Sequence, residues 1–271
     1  MIARVLAIIA VALSTTATDA PEIRQPTGKW VVNFAESQCI LSRDYGTPDK
    51  PFALIFEPSA MGDRISLIVL RPGKFDDLAK QPAKLRFEPL RLVIETDAFA
   101  YGVQSKELVR INFTIEREHL ERTLDAKSIT INGRRLVNVG FSVPGFRSAW
   151  KVLDACRADL LATWGIPVKL QARFKTPAKP LKETLGAYFT SDDYPSAALN
   201  KGEEGRVRSR MLVETSGAVS KCDVISSSGS KALDDVTCKI ILKRVRYSPA
   251  LDIDGKPMRS IEIADVSFVG A

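Results

Sequence analysis

The chain has 271 residues, 45% of them hydrophobic and 26% charged, with a formal net charge of +7. These fractions belong to globular proteins and exclude a disordered chain, a collagen-like rod and a coiled coil. The length predicts two domains, each able to bury its own core. His119 is the single histidine, which excludes His-rich zinc sites.

The N-terminus reads as an export signal. Met1–Arg4 is a short positive start, Val5–Leu13 is nine uninterrupted apolar residues, and Ser14–Ala20 supplies small residues. That order predicts a secretory signal peptide over residues 1–20, cleaved after Ala17 or Ala20, with Pro21 disfavouring the second site. Nine apolar residues span about 14 Å as a helix, about half a bilayer core, so a retained inner-membrane anchor is the weaker alternative. The mature chain is expected to be soluble and exported, where disulfides persist.

Residues 21–166 predict a β-rich domain. Trp30–Phe34, Phe52–Phe56, Arg64–Leu70, Leu85–Glu95, Leu108–Ile115 and Ser128–Val143 are rich in Val, Ile, Leu and Phe and are separated by Pro, Gly and Asp turns. Asn132-Gly133 predicts a type I′ hairpin, because both residues tolerate positive φ. The spacing points to an all-β sandwich or barrel. One helix closes it: Phe146, Trp150, Leu153, Leu160, Leu161 and Trp164 recur at helical spacing, and Gly165 and Pro167 end it. The aromatic stripe reads as core.

Residues 167–186 carry five basic side chains against Glu183, with Pro177 and Pro180 stiffening the stretch. They read as a short basic linker. Residues 187–271 hold 12 basic and 12 acidic side chains and are neutral. No domain is strongly basic, so nucleic acid is not an expected partner. The linker's charge leaves contact with anionic cell-wall polymers open.

The last 85 residues read as helix, hairpin, helix, strand. Tyr194-Pro195 opens a short helix. Val207, Ser209, Met211 and Val213 alternate with Arg206, Arg208, Arg210 and Glu214, as in a half-buried strand. Thr215-Ser216-Gly217 turns the chain, and Ala218–Ser226 returns it. Leu233, Val236, Ile240 and Ile241 mark an amphipathic helix capped by Ser230. Met258–Phe268 is the final strand. Its apolar phase switches from Ile261 and Ile263, expected to face the core, to Val266 and Phe268, which predicts a bulge near Ala264-Asp265.

Residues 188–271 resemble the C-terminal domain of the TonB energy-transducer family. The resemblance rests on an ordered set: Tyr194-Pro195 with Ala197-Ala198, Glu204-Gly205-Arg206-Val207, Val213, Gly217 and Val219, Ser227-Ser228-Gly229, Leu233-Asp234, Lys243 through Ala250, and Asp254-Gly255-Lys256-Pro257. It implies an α+β domain, a three-stranded antiparallel sheet on two helices. It also implies a periplasmic domain that binds the TonB box of outer-membrane transporters, or another envelope protein, by strand addition beside the final strand. The partner-binding residues so implied are Tyr194, Pro195, Met258, Ser260, Ile261, Glu262, Ile263, Ala264, Val266 and Phe268. A force-transmitting member of the family has an anchor helix and a long proline-rich spacer; this chain is expected to have a cleavable signal, a folded β domain in place of the spacer and a linker of about 20 residues. Residues 28–165 resemble no named family.

No catalytic signature is present. His119 lies in a charged run, the pairs Asp192-Asp193 and Asp234-Asp235 are mere chain neighbours, and Asn112-Phe113-Thr114 is a sequon within a strand. Nothing in the pattern calls for an enzyme, a metal or a cofactor. Four cysteines allow three connectivities, and the domain division favours Cys39–Cys156 and Cys222–Cys238. The functional expectation is a periplasmic adaptor in TonB-dependent transport. The alternative is a structural or wall-associated envelope protein using the same fold without force transduction.

Overall fold

The computed structural model describes residues 21–34, 38–61, 63–75, 78–103 and 107–269. The signal-peptide reading of residues 1–20 lies outside the described residues. Among the described residues no helix is long and apolar enough to cross a membrane.

The first domain is one curled sheet of ten strands. In chain order these are β1 (Ile23–Arg24), β2 (Val31–Phe34), β3 (Cys39–Asp44), β4 (Ala53–Pro58), β5 (Arg64–Pro72), β6 (Ala79–Glu88), β7 (Leu92–Val103), β8 (Leu108–Glu116), β9 (Ser128–Asn132) and β10 (Asn138–Ser142). The sheet order is β1-β10-β9-β6-β7-β8-β5-β4-β3-β2, antiparallel throughout except for β1 beside β10. Period-2 patterning puts one face of each strand inside, as with Val109, Ile111, Phe113 and Ile115 of β8, all buried.

The two ends of the sheet meet through side chains rather than a ladder. Tyr45, after β3, packs edge-on to Phe141 of β10 at 4.7 Å, and its hydroxyl donates to the Ser142 carbonyl at 2.8 Å. Phe52 lies 5.9 Å from the same Phe141 ring. A short helix α1 (Arg117–Glu121) follows β8, and α2 (Phe146–Thr163) covers the inner face. Phe146, Trp150 and Leu153 of α2 are buried there, with Trp150 edge-on to Phe56 at 6.1 Å. The Cys39–Cys156 disulfide fastens α2 to β3. The domain is therefore the barrel-like, helix-closed form of the expectation; a two-sheet sandwich is not formed.

Local differences have local causes. The expected strand Leu85–Glu95 is two strands, β6 and β7, separated by a turn in which Arg91 takes φ +54°. Asn132 ends β9 rather than turning. The connection runs to Asn138, and Arg134 takes the positive φ. β3 was hidden by the polar Ser42-Arg43-Asp44 end of its run.

In the second domain β13 (Gly205–Val213), β14 (Val219–Ser226) and β18 (Ser260–Phe268) form an antiparallel sheet in the order β14-β13-β18. Two further helices of this domain are α4 (Ser196–Leu199) and α5 (Lys231–Arg244). Helix α5 covers one sheet face with Leu233, Thr237, Ile240 and Ile241, and the Ser230 hydroxyl caps it by accepting from the Leu233 N–H. Cys222–Cys238 ties β14 to α5. Gly217 closes the β13–β14 turn at φ +80°, where a Cβ would run into the Tyr247 carbonyl oxygen.

Residues 167–186 do not form a free linker. Helix α3 (Val168–Gln171) is tied to the end of α2 by Gln171, whose side-chain amide donates to the Ala158 and Ile166 carbonyls. Strands β11 (Phe174–Thr176) and β12 (Lys179–Pro180) then pair with β16 (Ala250–Asp252) and β15 (Tyr247–Ser248). The stretch is a strap on the second domain. Its prolines sit at strand edges, where no ladder donor is needed.

No bulge interrupts β18. Its register with β13 runs unbroken from Gly205 opposite Phe268 to Val213 opposite Ser260. The phase switch has another cause: both faces of this sheet are covered. Val266 and Phe268 pack toward α4 and α5, whereas Ile261 packs on the other face with Met61 and Leu161 of the first domain.

Candidate docking site

Among the described residues strand β18 is an edge, since β13 pairs with one side of it and no strand of the sheet pairs with the other. In an antiparallel ladder, successive residues direct their N–H and C=O groups alternately toward the neighbour and away from it. The Ile261 nitrogen lies 3.2 Å from the Met61 Sδ, so its N–H points away from β13. By alternation the backbone groups of Ile263, Asp265 and Ser267 share that free edge, and those of Glu262, Ala264 and Val266 serve β13.

The edge opens into a cleft of about 550 Å³ between the domains. Glu57, Met61 and Arg64 line it from the first domain, Ile263 and Asp265 from β18, and Pro177 to Pro180 from the strap. One ion pair and one cation–π contact bridge the two sides, and the other ion pairs stay within one side. The Glu57 carboxylate takes Arg208 of β13 at 3.0 Å and faces Arg110 of β8 at 3.5 Å. Arg210 binds Asp223, and its guanidinium lies 4.5 Å over the Trp164 ring. Arg206 pairs with Asp265 at 2.7 Å.

Two ionisable groups here are strongly affected by burial. Burial pushes the Glu262 carboxyl up to about 7, and the Ser260 hydroxyl, donating at 3.1 Å, only partly offsets it. Burial, helped by the neighbouring Arg117 charge, lowers Arg157 to about 10. The Arg157 Nη1 donates to the Ala60 carbonyl at 3.4 Å, while among the described residues its Nε and that of Arg208 are buried without an acceptor.

The residues inferred from the family resemblance separate into two groups. Ile261, Glu262 and Ile263 line the cleft. Met258 does not belong to the edge strand: it lies in β17 (Pro257–Met258), paired with Ala250 and buried. Ser260, Val266 and Phe268 are buried toward the helices, and Ala264 packs half-buried on that same face, so their side chains are covered by their own domain. Tyr194 packs its ring edge-on to Phe268 at 5.6 Å and donates its hydroxyl to the Glu203 carbonyl, just before Pro195 begins α4. These are core and helix-start contacts. Ile261 and Ile263 face the first domain, opposite to the orientation inferred from alternation.

Sequence reasoning missed the first-domain side of the cleft: Glu57, Met61, Arg64, Arg110 and Arg157. One signal for it existed. Arg206, Arg208 and Arg210 stack like charges on one strand face, an arrangement that needs carboxylates opposite it. The other candidates have local partners: Asp193 pairs with Arg244, the Asp234 carboxylate accepts from Ser227 and Ser228, and the exposed His119 lies 3.7 Å from Glu116.

Residues 191–269 match the family model described as Gram-negative bacterial TonB protein C-terminal. No curated protein matches the chain.

Proposed function

We propose that this chain, whose residues 191–269 form a TonB C-terminal domain, is a periplasmic adaptor that takes up an extended segment of a partner along β18. The partner class is an outer-membrane TonB-dependent transporter presenting its TonB box, or another envelope protein. One observation carries this reading: the outward backbone groups of Ile263, Asp265 and Ser267 form an unpaired strand edge that opens into a cleft. Each added hydrogen bond contributes about 1 kcal/mol net. Four or so would give only about millimolar affinity, so side-chain contacts in the cleft must supply the rest.

Calorimetric titration of the mature chain with TonB-box peptides tests the proposal. Micromolar binding that Ile263→Pro abolishes, in a variant that keeps its circular dichroism, is the expected result. A folded wild-type chain that binds no such peptide at millimolar concentration would favour a structural or wall-associated role. The contact of Met61 with the Ile261 N–H is the observation on that side, because it already covers the start of the edge.

A further inference from the structure

We infer that the segment docked along β18 is acidic, and that the first domain supplies the groups that read its carboxylates. This rests on the docking reading above and adds the chemistry of the partner. Six cationic side chains line the cleft (Arg64, Arg110, Arg157, Lys179, Arg206 and Arg208) against the four carboxyl groups of Glu57, Asp63, Glu262 and Asp265. Half of those six come from strands and a helix of the first domain, outside the matched family segment.

Three of the four carboxyl groups are committed; Asp63 is exposed and, among the described residues, has no ion-pair partner. Glu57 serves both Arg110 and Arg208, and Asp265 is held by Arg206. Glu262 turns toward the helices opposite Met211, and burial keeps much of it protonated near neutral pH. The cations are not equally committed. Among the described residues neither Arg64 nor Lys179 has an ion-pair partner, whereas Arg157 only approaches Asp154 at 3.9 Å. That Asp154 is the same carboxylate that accepts from Arg117 at 2.8 Å. Among the described residues the buried Nε groups of Arg157 and Arg208 lack acceptors, and the Ser59 hydroxyl in the same cleft lining is also unpartnered. An unmet buried donor is costly, and a ligand carboxylate would recover that cost.

Strand geometry makes the requirement positional. Side chains of an added strand alternate between the sheet face toward the first domain, where Arg64, Arg110 and Arg157 stand, and the opposite face. Glutamate or aspartate therefore belongs at one parity of the segment. Moving it by one residue turns it away from the arginines.

The test uses the full mature chain and short capped Val/Thr peptides carrying one glutamate, or glutamine, at successive positions. The glutamate peptide is expected to bind about tenfold tighter than its glutamine counterpart at alternate positions only, with the advantage shrinking as salt rises. Arg64→Gln, on an exposed side chain, should bring the ratio at those positions toward one. Equal binding of both peptides at every position would overturn the acidic reading and leave strand docking standing. Absence of binding by every peptide would overturn both.

Discussion

The Met61 Sδ sits 3.2 Å from the backbone nitrogen of Ile261, so a first-domain side chain covers the first outward donor of β18. A thioether is a weak acceptor, and an incoming carbonyl would be the better partner for that N–H. Met61→Ala should therefore raise peptide affinity several-fold and speed amide exchange at Ile261, while Glu262, bonded to β13, stays protected. Unchanged exchange at Ile261 would show that Met61 does not guard the edge.

Proline scanning distinguishes the two sides of the strand. Alternation of side chains alone singles out Glu262, between two isoleucines, as the position whose N–H meets the partner. The register reverses that choice: Glu262 lies opposite Met211 and bonds inward, whereas Ile263 is outward. Glu262→Pro should destabilise the domain by about 3 kcal/mol or more in urea titration. Ile263→Pro should unfold at nearly the wild-type midpoint. Equal losses would mean that the edge assignment is wrong.

These two positions also show what the sequence carried and what it did not. The core faces of β8, α2 and α5 were legible because each has a single buried face and a clean period. Strand β18 was not, because both of its faces are buried, one by helices and one by another domain. Its hydrophobic phase then reports two partners at once, and a bulge is the nearest one-partner explanation. Likewise the strap segment 167–186 looked like a linker because its charge and prolines are edge features. Only its pairing with β15 and β16 reveals its place.

Stability should depend on pH through Glu262. Its carboxyl has an ordinary value of 4.5 and is held at about 7 in the folded chain by burial. Between those values the folded state keeps a proton that the unfolded state has lost, so stability falls as pH rises. The contribution is complete below about pH 4.5 and gone above about pH 7, a difference on the order of 3 kcal/mol. Glu262→Gln should flatten that segment of the profile and be the more stable protein at pH 8. Parallel urea midpoints from pH 5 to 8 for the two proteins would contradict it.

The disulfides divide the stability between domains. Non-reducing peptide mapping should find Cys39 linked to Cys156 and Cys222 to Cys238. Chain-entropy arguments assign about 3 kcal/mol to the short loop and about 5 kcal/mol to the long one. Cys238→Ser should accordingly lower the stability of the second domain by about 2–4 kcal/mol, read from the second-domain unfolding transition. Four alkylatable thiols in the purified chain would refute the pairing.

Glu57 is the residue on which the union of the two domains should depend most. It stands between Arg110 of its own sheet and Arg208 of β13, and its side chain is only 17% exposed. Removing it leaves two guanidinium groups facing each other without a carboxylate, which costs more than the lost pair alone. Glu57→Ala should destabilise the interface by about 3 kcal/mol and expose the 167–186 strap to limited proteolysis, with both disulfides intact. Replacing Glu57 and Arg208 together by methionine should restore most of the resistance, because the remaining Arg110 still donates to Asn112 at 3.0 Å. A double-mutant cycle of Glu57→Met, Arg208→Met and the double variant is expected to give a coupling of about 1–3 kcal/mol between the domains. Additive losses with no coupling would mean that apolar packing around Met61, Leu161 and Ile261 holds the cleft in shape unaided.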